Sequence, residues 1–189
     1  ALIFNGGHRE LQPAGGRRAV MRLIRDLALA GDVEAGRAAI PASGGLTAAL
    51  ARLRRVVRPG SLVFVISDFH SRDADSERHL GQLRRHCEVV ACQIADALEL
   101  APPPPGRYGI GDGHRTGVLD VRPTLARQRY ADYFAGHHAA VAAMTKTHGI
   151  PLIRLSPEDE PAARLMQGLE LRLAGRRRPR RSTGVGAAA

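Results

Sequence analysis

Thr47, Ser67 and Asp68 are the side chains whose types and placement point to shared chemistry. Ser67 and Asp68 close the short β-branched run Val63 to Phe69, VFVISDF, and Thr47 opens a helix just after the pair Gly44-Gly45. In an open α/β sheet the carboxyl ends of parallel strands face a common crevice, and ligands bind there. A donor set made only of oxygens suits a hard cation, Mg2+ before any transition metal. The same residues have plainer uses, since Asp68 also suits a helix cap or an Asx turn and Thr47 a first helical turn. Asp68, His70, Asp73 and Asp75 crowd one stretch. They lack the glycine turn and acidic twelfth position of a calcium loop and read as loop or first-turn charges.

Other reactive types form no catalytic pattern. Asp96 and Glu99 are a carboxylate pair without a neighbouring nucleophile, which favours cap or turn roles over acid/base work. No phosphate-binding glycine loop, Ser/His/Asp order or HExxH motif occurs. The eight histidines are scattered, and His137 and His138 point about 100° apart on a helix, too far round to chelate together. Cys87 and Cys92 fit no zinc or redox spacing and read as buried reduced thiols. The expectation is a domain that is not an enzyme.

The elements that must position Thr47, Ser67 and Asp68 follow from periodicity. Ala1 to Phe4 and His8 to Leu11 flank Asn5-Gly6-Gly7, a hairpin signal. Val20, Leu23, Ile24 and Leu27 recur at helical spacing, with arginines on other faces and a stop near Gly31. Leu46 to Val57 is a second helix, Leu62 to Ile66 a strand, Asp73 to His86 a helix, and Glu88 to Ile94 a strand apolar on both faces. Strand, helix, strand predicts a parallel crossover. After Pro102 to Pro105, Tyr108-Gly109-Ile110 and Gly117 to Val121 predict a hairpin about Gly111-Asp112-Gly113, placed at a sheet edge. Pro123 opens a long helix whose stripe runs Ala126, Tyr130, Tyr133, Phe134, His137, Val141, Met144 and ends at Gly149. Pro151 to Leu155 is a last strand and Pro161 to Leu173 a last helix.

The 189 residues, 44% hydrophobic, fit one globular domain over 1–174, followed by a basic tail over 175–189 that cannot bury itself and is expected to be disordered. The formal charge of +10 is nearly all arginine, Lys146 being the single lysine, and together with abundant Ala, Gly and Pro it resembles high-GC coding bias. No aromatic residues interleave the run Arg176 to Arg181, which weakens a nucleic-acid claim, so the run reads first as a solvated tail, with contact to an anionic membrane surface or RNA as the alternatives. No run of about 18 apolar residues is present. The chain opens on Ala1 with a strand already in progress, so a preceding segment is expected to hold part of the sheet and of the site.

Leu2 to Arg17 (LIFNGGHRELQPAGGR), the Thr47 loop, VFVISDF, the turn Asp96-Ala97-Leu98-Glu99 and the Arg129-Tyr130 helix opening together resemble the domain-of-unknown-function-58 family. That resemblance implies a von Willebrand factor A-like, Rossmann-like α/β fold: a doubly wound, mostly parallel sheet with helices on both faces, here incomplete at the N-terminus. It also implies a metal-ion-dependent adhesion site built from a DxSxS motif, a Thr and an Asp. Thr47 matches the second element and Asp68 the third, with Ser67 beside it, while no DxSxS occurs in the chain. Mg2+ binding is therefore expected only in the intact protein. The family's acidic turn commonly has a proline where Ala97 stands.

The function implied is a non-enzymatic protein–protein interaction module, with a MoxR-type AAA+ ATPase as partner, in the cytoplasm or on the cytoplasmic face of the inner membrane. Two other classes fit the residues less well. One is a Rossmann-like hydrolase using Asp68 on a phosphorylated substrate, and the other a basic nucleic-acid-binding domain.

Overall fold

The computed structural model describes residues 1–4, 8–12, 14–30, 45–111 and 115–176. The turns expected at Asn5-Gly6-Gly7 and Asp112-Gly113, the helix stop at Gly31, Gly44, and the tail beyond Arg176 lie outside the described residues.

The chain begins with the antiparallel pair β1 (Leu2–Phe4) and β2 (His8–Glu10), then α1 (Arg17–Ala30) and α2 (Gly45–Val56). The centre is β3 (Leu62–Ser67), α3 (Ala74–His86) and β4 (Glu88–Ile94), followed by a single turn, α4 (Ala97–Leu100). A second hairpin, β5 (Arg107–Gly111) and β6 (Thr116–Asp120), precedes the long α5 (Thr124–Thr147), then β7 (Leu152–Leu155) and α6 (Pro161–Arg176). The last helix thus runs through Arg176 rather than stopping at Leu173.

β3, β4 and β7 make a parallel sheet in the order β3-β4-β7, with Leu62 opposite Glu88 and Ser67 opposite Gln93. Helices cover both faces. On one, Leu46 and Leu50 of α2, Leu80 and Leu83 of α3, and Val141 and Met144 of α5 close over Val63, Val65, Val89 and Ala91. These helical positions recur at intervals of three and four, so each helix presents a single apolar stripe to the strands. On the other face Val90, Cys92 and Ile153 form a smaller core against Leu165 of α6. The result is a mixed α/β fold of Rossmann-like type, and both cysteines are buried free thiols.

Close helix packing rests on one glycine. A Cβ on Gly81 of α3 would lie 2.7 Å from the His148 ring at the end of α5, so any larger residue would push the two helices apart. Gly149 then takes a positive φ of 62° and ends α5 in the left-handed conformation usual at a helix C-terminus.

Two expectations fail here. The β5–β6 hairpin does not sit on an edge of the main sheet but forms a ladder of its own. Its residues are mostly exposed, Ile110 and Val118 among them, so it has no apolar face to lay against the other strands. Tyr133 also leaves the expected stripe of α5 and is 66% exposed. It precedes Phe134 by one residue, about 100° round the helix, and Phe134 is the one that turns inward.

Candidate functional site

The carboxyl end of β3 is shaped by a backbone reversal that the sequence did not announce. Phe69 has φ of 62° and is completely buried. A left-handed non-glycine residue costs roughly 1–3 kcal/mol, and the full burial of a phenylalanine side chain returns about as much. With Phe69 acting as a plug, the residues before and after it are turned outward. Ser67 Oγ accepts the Phe69 amide N–H at 3.0 Å, and Asp68 Oδ1 accepts the His70 amide N–H at 3.0 Å. Ser67 Oγ also donates weakly to Asp68 Oδ1 at 3.4 Å. Asp68 is exposed, and among the described residues its Oδ2 accepts no hydrogen bond.

Thr47 is the third residue of α2, and its hydroxyl donates to Asp73 Oδ1 at 2.5 Å. Asp73 is the N-cap of α3: the same oxygen accepts the Ser76 amide N–H at 2.7 Å, and the Asp73 amide N–H donates in return to Ser76 Oγ at 2.8 Å. This reciprocal capping box contributes about 1 kcal/mol to the helix. The Thr47 hydroxyl beside Asp73, with the Ser76 amide, holds its carboxyl below the usual range. Thr47 is therefore brought to the loop that follows β3, but through Asp73, and it shares no hydrogen bond with Asp68.

A third group closes over the loop. His137 of α5 donates from Nε2 to the Asp68 carbonyl at 2.9 Å and stacks on His70, with ring centroids 4.0 Å apart and planes 9° apart. Burial pushes the His137 pKa down, partly opposed by the bond to Asp68 and reinforced by the neighbouring His70, His138 and Arg72. Glu99 lies 3.4 Å from the far nitrogen of His70, and Asp96 accepts the Leu98 amide at 2.9 Å as the cap of α4. Asp96 thus takes the cap role the sequence favoured.

Across the strand ends Ser67, Gln93 and Arg154 lie side by side in one row. Gln93 is fully buried: Arg154 Nε donates to its Oε1 at 3.2 Å, and its amide nitrogen faces His138 Nδ1 at 3.0 Å. With the Gln93 oxygen occupied by arginine, its NH2 must donate and His138 Nδ1 must accept. Sequence reasoning missed this triad, the His70–His137 stack and the Thr47–Asp73 bond. The readable signals were slight: a lone Gln within the apolar run Val89 to Ile94, and an Asp three residues before a Ser at a helix start.

Thr47, Ser67 and Asp68 are of the kind a hard cation takes, all oxygen, with one carboxylate free to reach outward. Among the described residues no three His, Cys, Asp or Glu side chains are grouped to hold a metal ion. One carboxylate and two hydroxyls fit Mg2+ in type and fall short of it in charge. A cleft of about 400 Å³ lies elsewhere, between β7 and α6, lined by Ala95, Arg154, Leu155, Asp159, Arg164 and Gly168. None of the three candidates borders it.

A parallel sheet flanked by helices, with polar loops gathered outside the carboxyl ends of its strands, defines an α/β domain of the Rossmann-like class. Residues 1–140 match the family described as protein of unknown function DUF58, and the chain belongs to that family. It is also similar to an uncharacterized protein of Mycobacterium avium, MAV169, with 29% identity over 141 residues, which span 74% of this chain and 82% of the relative. No solved structure matches the chain. Among the described residues no helix is long and apolar enough to cross a membrane.

Proposed function

We propose that this domain is a non-catalytic interaction module that docks a protein partner at the carboxyl end of its parallel sheet. Thr47, Ser67 and Asp68 would supply oxygens to a Mg2+ ion, which keeps waters and one open position for an acidic group of that partner. The observation that carries the reading is the pairing of an exposed, half-free Asp68 carboxylate with a helix N-terminus, that of α2, tethered beside the same loop. In this reading the partner is a MoxR-type AAA+ ATPase, as the sequence resemblance implies, and the place of action is the cytoplasm or the cytoplasmic face of the inner membrane. The 400 Å³ cleft lies away from Asp68.

The test is a binding titration of the chain against a purified MoxR-type ATPase, with Mg2+ and with EDTA. Binding that needs Mg2+ and weakens at least tenfold in Asp68→Ala is expected. Equal binding in EDTA, or turnover of a phosphoester that Asp68→Asn abolishes in the folded protein, would refute it. Because a single carboxylate is present, Mg2+ alone should bind this chain in the millimolar range or more weakly.

A further inference from the structure

We infer that α1 is a membrane-surface helix: its outward apolar face enters an anionic lipid bilayer at headgroup depth, and the arginines beside that face hold the lipid phosphates. The inference does not depend on the reading of Asp68.

α1 is turned the opposite way from α2 and α3, which bury their leucines. Asp26 is its one buried side chain, 2% exposed, and it faces Arg9 of β2 at 3.7 Å and Arg22 at 3.9 Å. Val20, Met21, Ile24 and Leu27, which the sequence pattern alone would turn toward a core, are between 50% and 56% exposed. Successive residues turn by about 100°, so these four fill a sector of about 120° over two turns. Arg18, Arg22 and Arg25 fill a sector of about 60° beside it, with Leu29 among them. Ala19, Leu23, Asp26 and Ala30 make up the inward remainder. An ion pair rather than an apolar stripe therefore anchors this helix, and its aliphatic strip is left facing out.

The charges decide what covers that strip. Arg17, Arg18 and Arg25 are exposed and, among the described residues, pair with no carboxylate, while the single acid of the helix is turned inward and paired. An aliphatic strip bordered by arginine, with no exposed acid, matches a bilayer interface, where acyl chains and anionic headgroups lie in two layers along the whole length of a helix. Arg17 lies within the apolar sector, and its stem can follow the strip while the guanidinium reaches the phosphates. A second copy of α1 would offer these arginines no anion. A bilayer supplies one and needs no pocket shaped to the strip.

The experiment mixes the full 189-residue chain with vesicles of phosphatidylcholine alone and of equimolar phosphatidylcholine and phosphatidylglycerol, and measures co-flotation. Binding to the anionic vesicles should exceed that to the neutral ones at least about tenfold, and should fall at least about tenfold in Ile24→Asp and in the double variant Arg18→Glu, Arg25→Glu. These positions are exposed, so the thermal melts of the variants should not move. Because the chain has no tryptophan, Ile24→Trp supplies a single reporter, whose fluorescence on anionic vesicles should be quenched by brominated acyl chains. Adding Arg176→Ser, Arg177→Ser, Arg178→Ser, Arg180→Ser and Arg181→Ser to that reporter should leave the quenching in place. Vesicle binding that survives Ile24→Asp overturns the inference, as does a reporter that stays unquenched or loses its quenching with the tail arginines. Binding to polyglutamate but to neither vesicle would assign the strip to an acidic protein, and a dimer seen by light scattering and dispersed by Ile24→Asp would assign it to a second copy. Either result also overturns the inference.

Discussion

β3 and β4 are neighbouring, largely apolar strands with different surroundings. Both are short apolar runs, paired in parallel from Leu62 opposite Glu88 to Ser67 opposite Gln93. β4 is buried on both faces, Val89 and Ala91 under α2, α3 and α5, and Val90 and Cys92 under α6. β3 is buried on one. Val63 and Val65 enter the larger core, while Leu62, Phe64 and Ile66 stay exposed, Ile66 at 59%. The cause is position: β4 lies between two strands, whereas β3 ends the order β3-β4-β7, and Leu165 of α6 meets Val90, Cys92 and Ile153 instead. An apolar side chain thus records what a strand could bury, and its neighbours decide what it does bury.

The sharpest way to break this comparison is to place the same charge on each strand. Val90→Asp would bury an unpaired carboxylate and should cost on the order of 4 kcal/mol or more, leaving no cooperative thermal transition. Ile66→Asp, on the open face of β3, should cost about 1 kcal/mol or less. Circular dichroism melts of both variants check this, and similar losses would mean that the outer face of β3 is covered in solution.

A smaller effect tests the polar ends of the two strands. Gln93→Leu fits the apolar character of β4 but strands Arg154 Nε and His138 Nδ1, so it should destabilise by about 1–3 kcal/mol despite raising hydrophobicity. A urea midpoint at or above that of the unaltered protein would show that the network carries no net stability.

The smallest effect is a pH dependence at the end of β3. Burial lowers the His137 pKa in the folded state, so the unfolded chain takes up the proton first and stability falls as pH drops below the ordinary histidine value near 6.5. The loss continues down to the folded pKa and then stops. His137→Asn should flatten this limb, and melting temperatures measured from pH 8 to pH 5 would show no difference between the two proteins if His137 contributes nothing.

Much of the fold was legible because helices and strands carry their periods locally. Leu46, Leu50 and Leu53 announce α2, Leu80 and Leu83 announce α3, and the unbroken run Glu88 to Ile94 announces a strand covered on both sides. The candidate site was legible only as residue types. Thr47 and Asp68 could be named, but their hydrogen-bond partners lie 26 residues away at Asp73 for one and two residues away at the His70 amide for the other. The first is invisible without the packing of α2 on α3. The edge placement expected of Tyr108 to Val121 failed for a related reason, since a hairpin pattern fixes the turn between two strands and says nothing of which sheet they join.

By itself, then, the sequence determined the order and type of the elements, the parallel crossover and the oxygen character of the candidate site, because these follow from side-chain period, turn chemistry and residue type along a few neighbouring positions. Tertiary structure alone decided that Phe69 adopts a left-handed backbone to plug the core, that Asp73 rather than Asp68 receives the Thr47 hydroxyl, that Gln93 joins Arg154 to His138, and that one face of β3 stays open. Each depends on which groups distant in the chain arrive at the same place, and the free energy of burying or pairing a group is set by those arrivals.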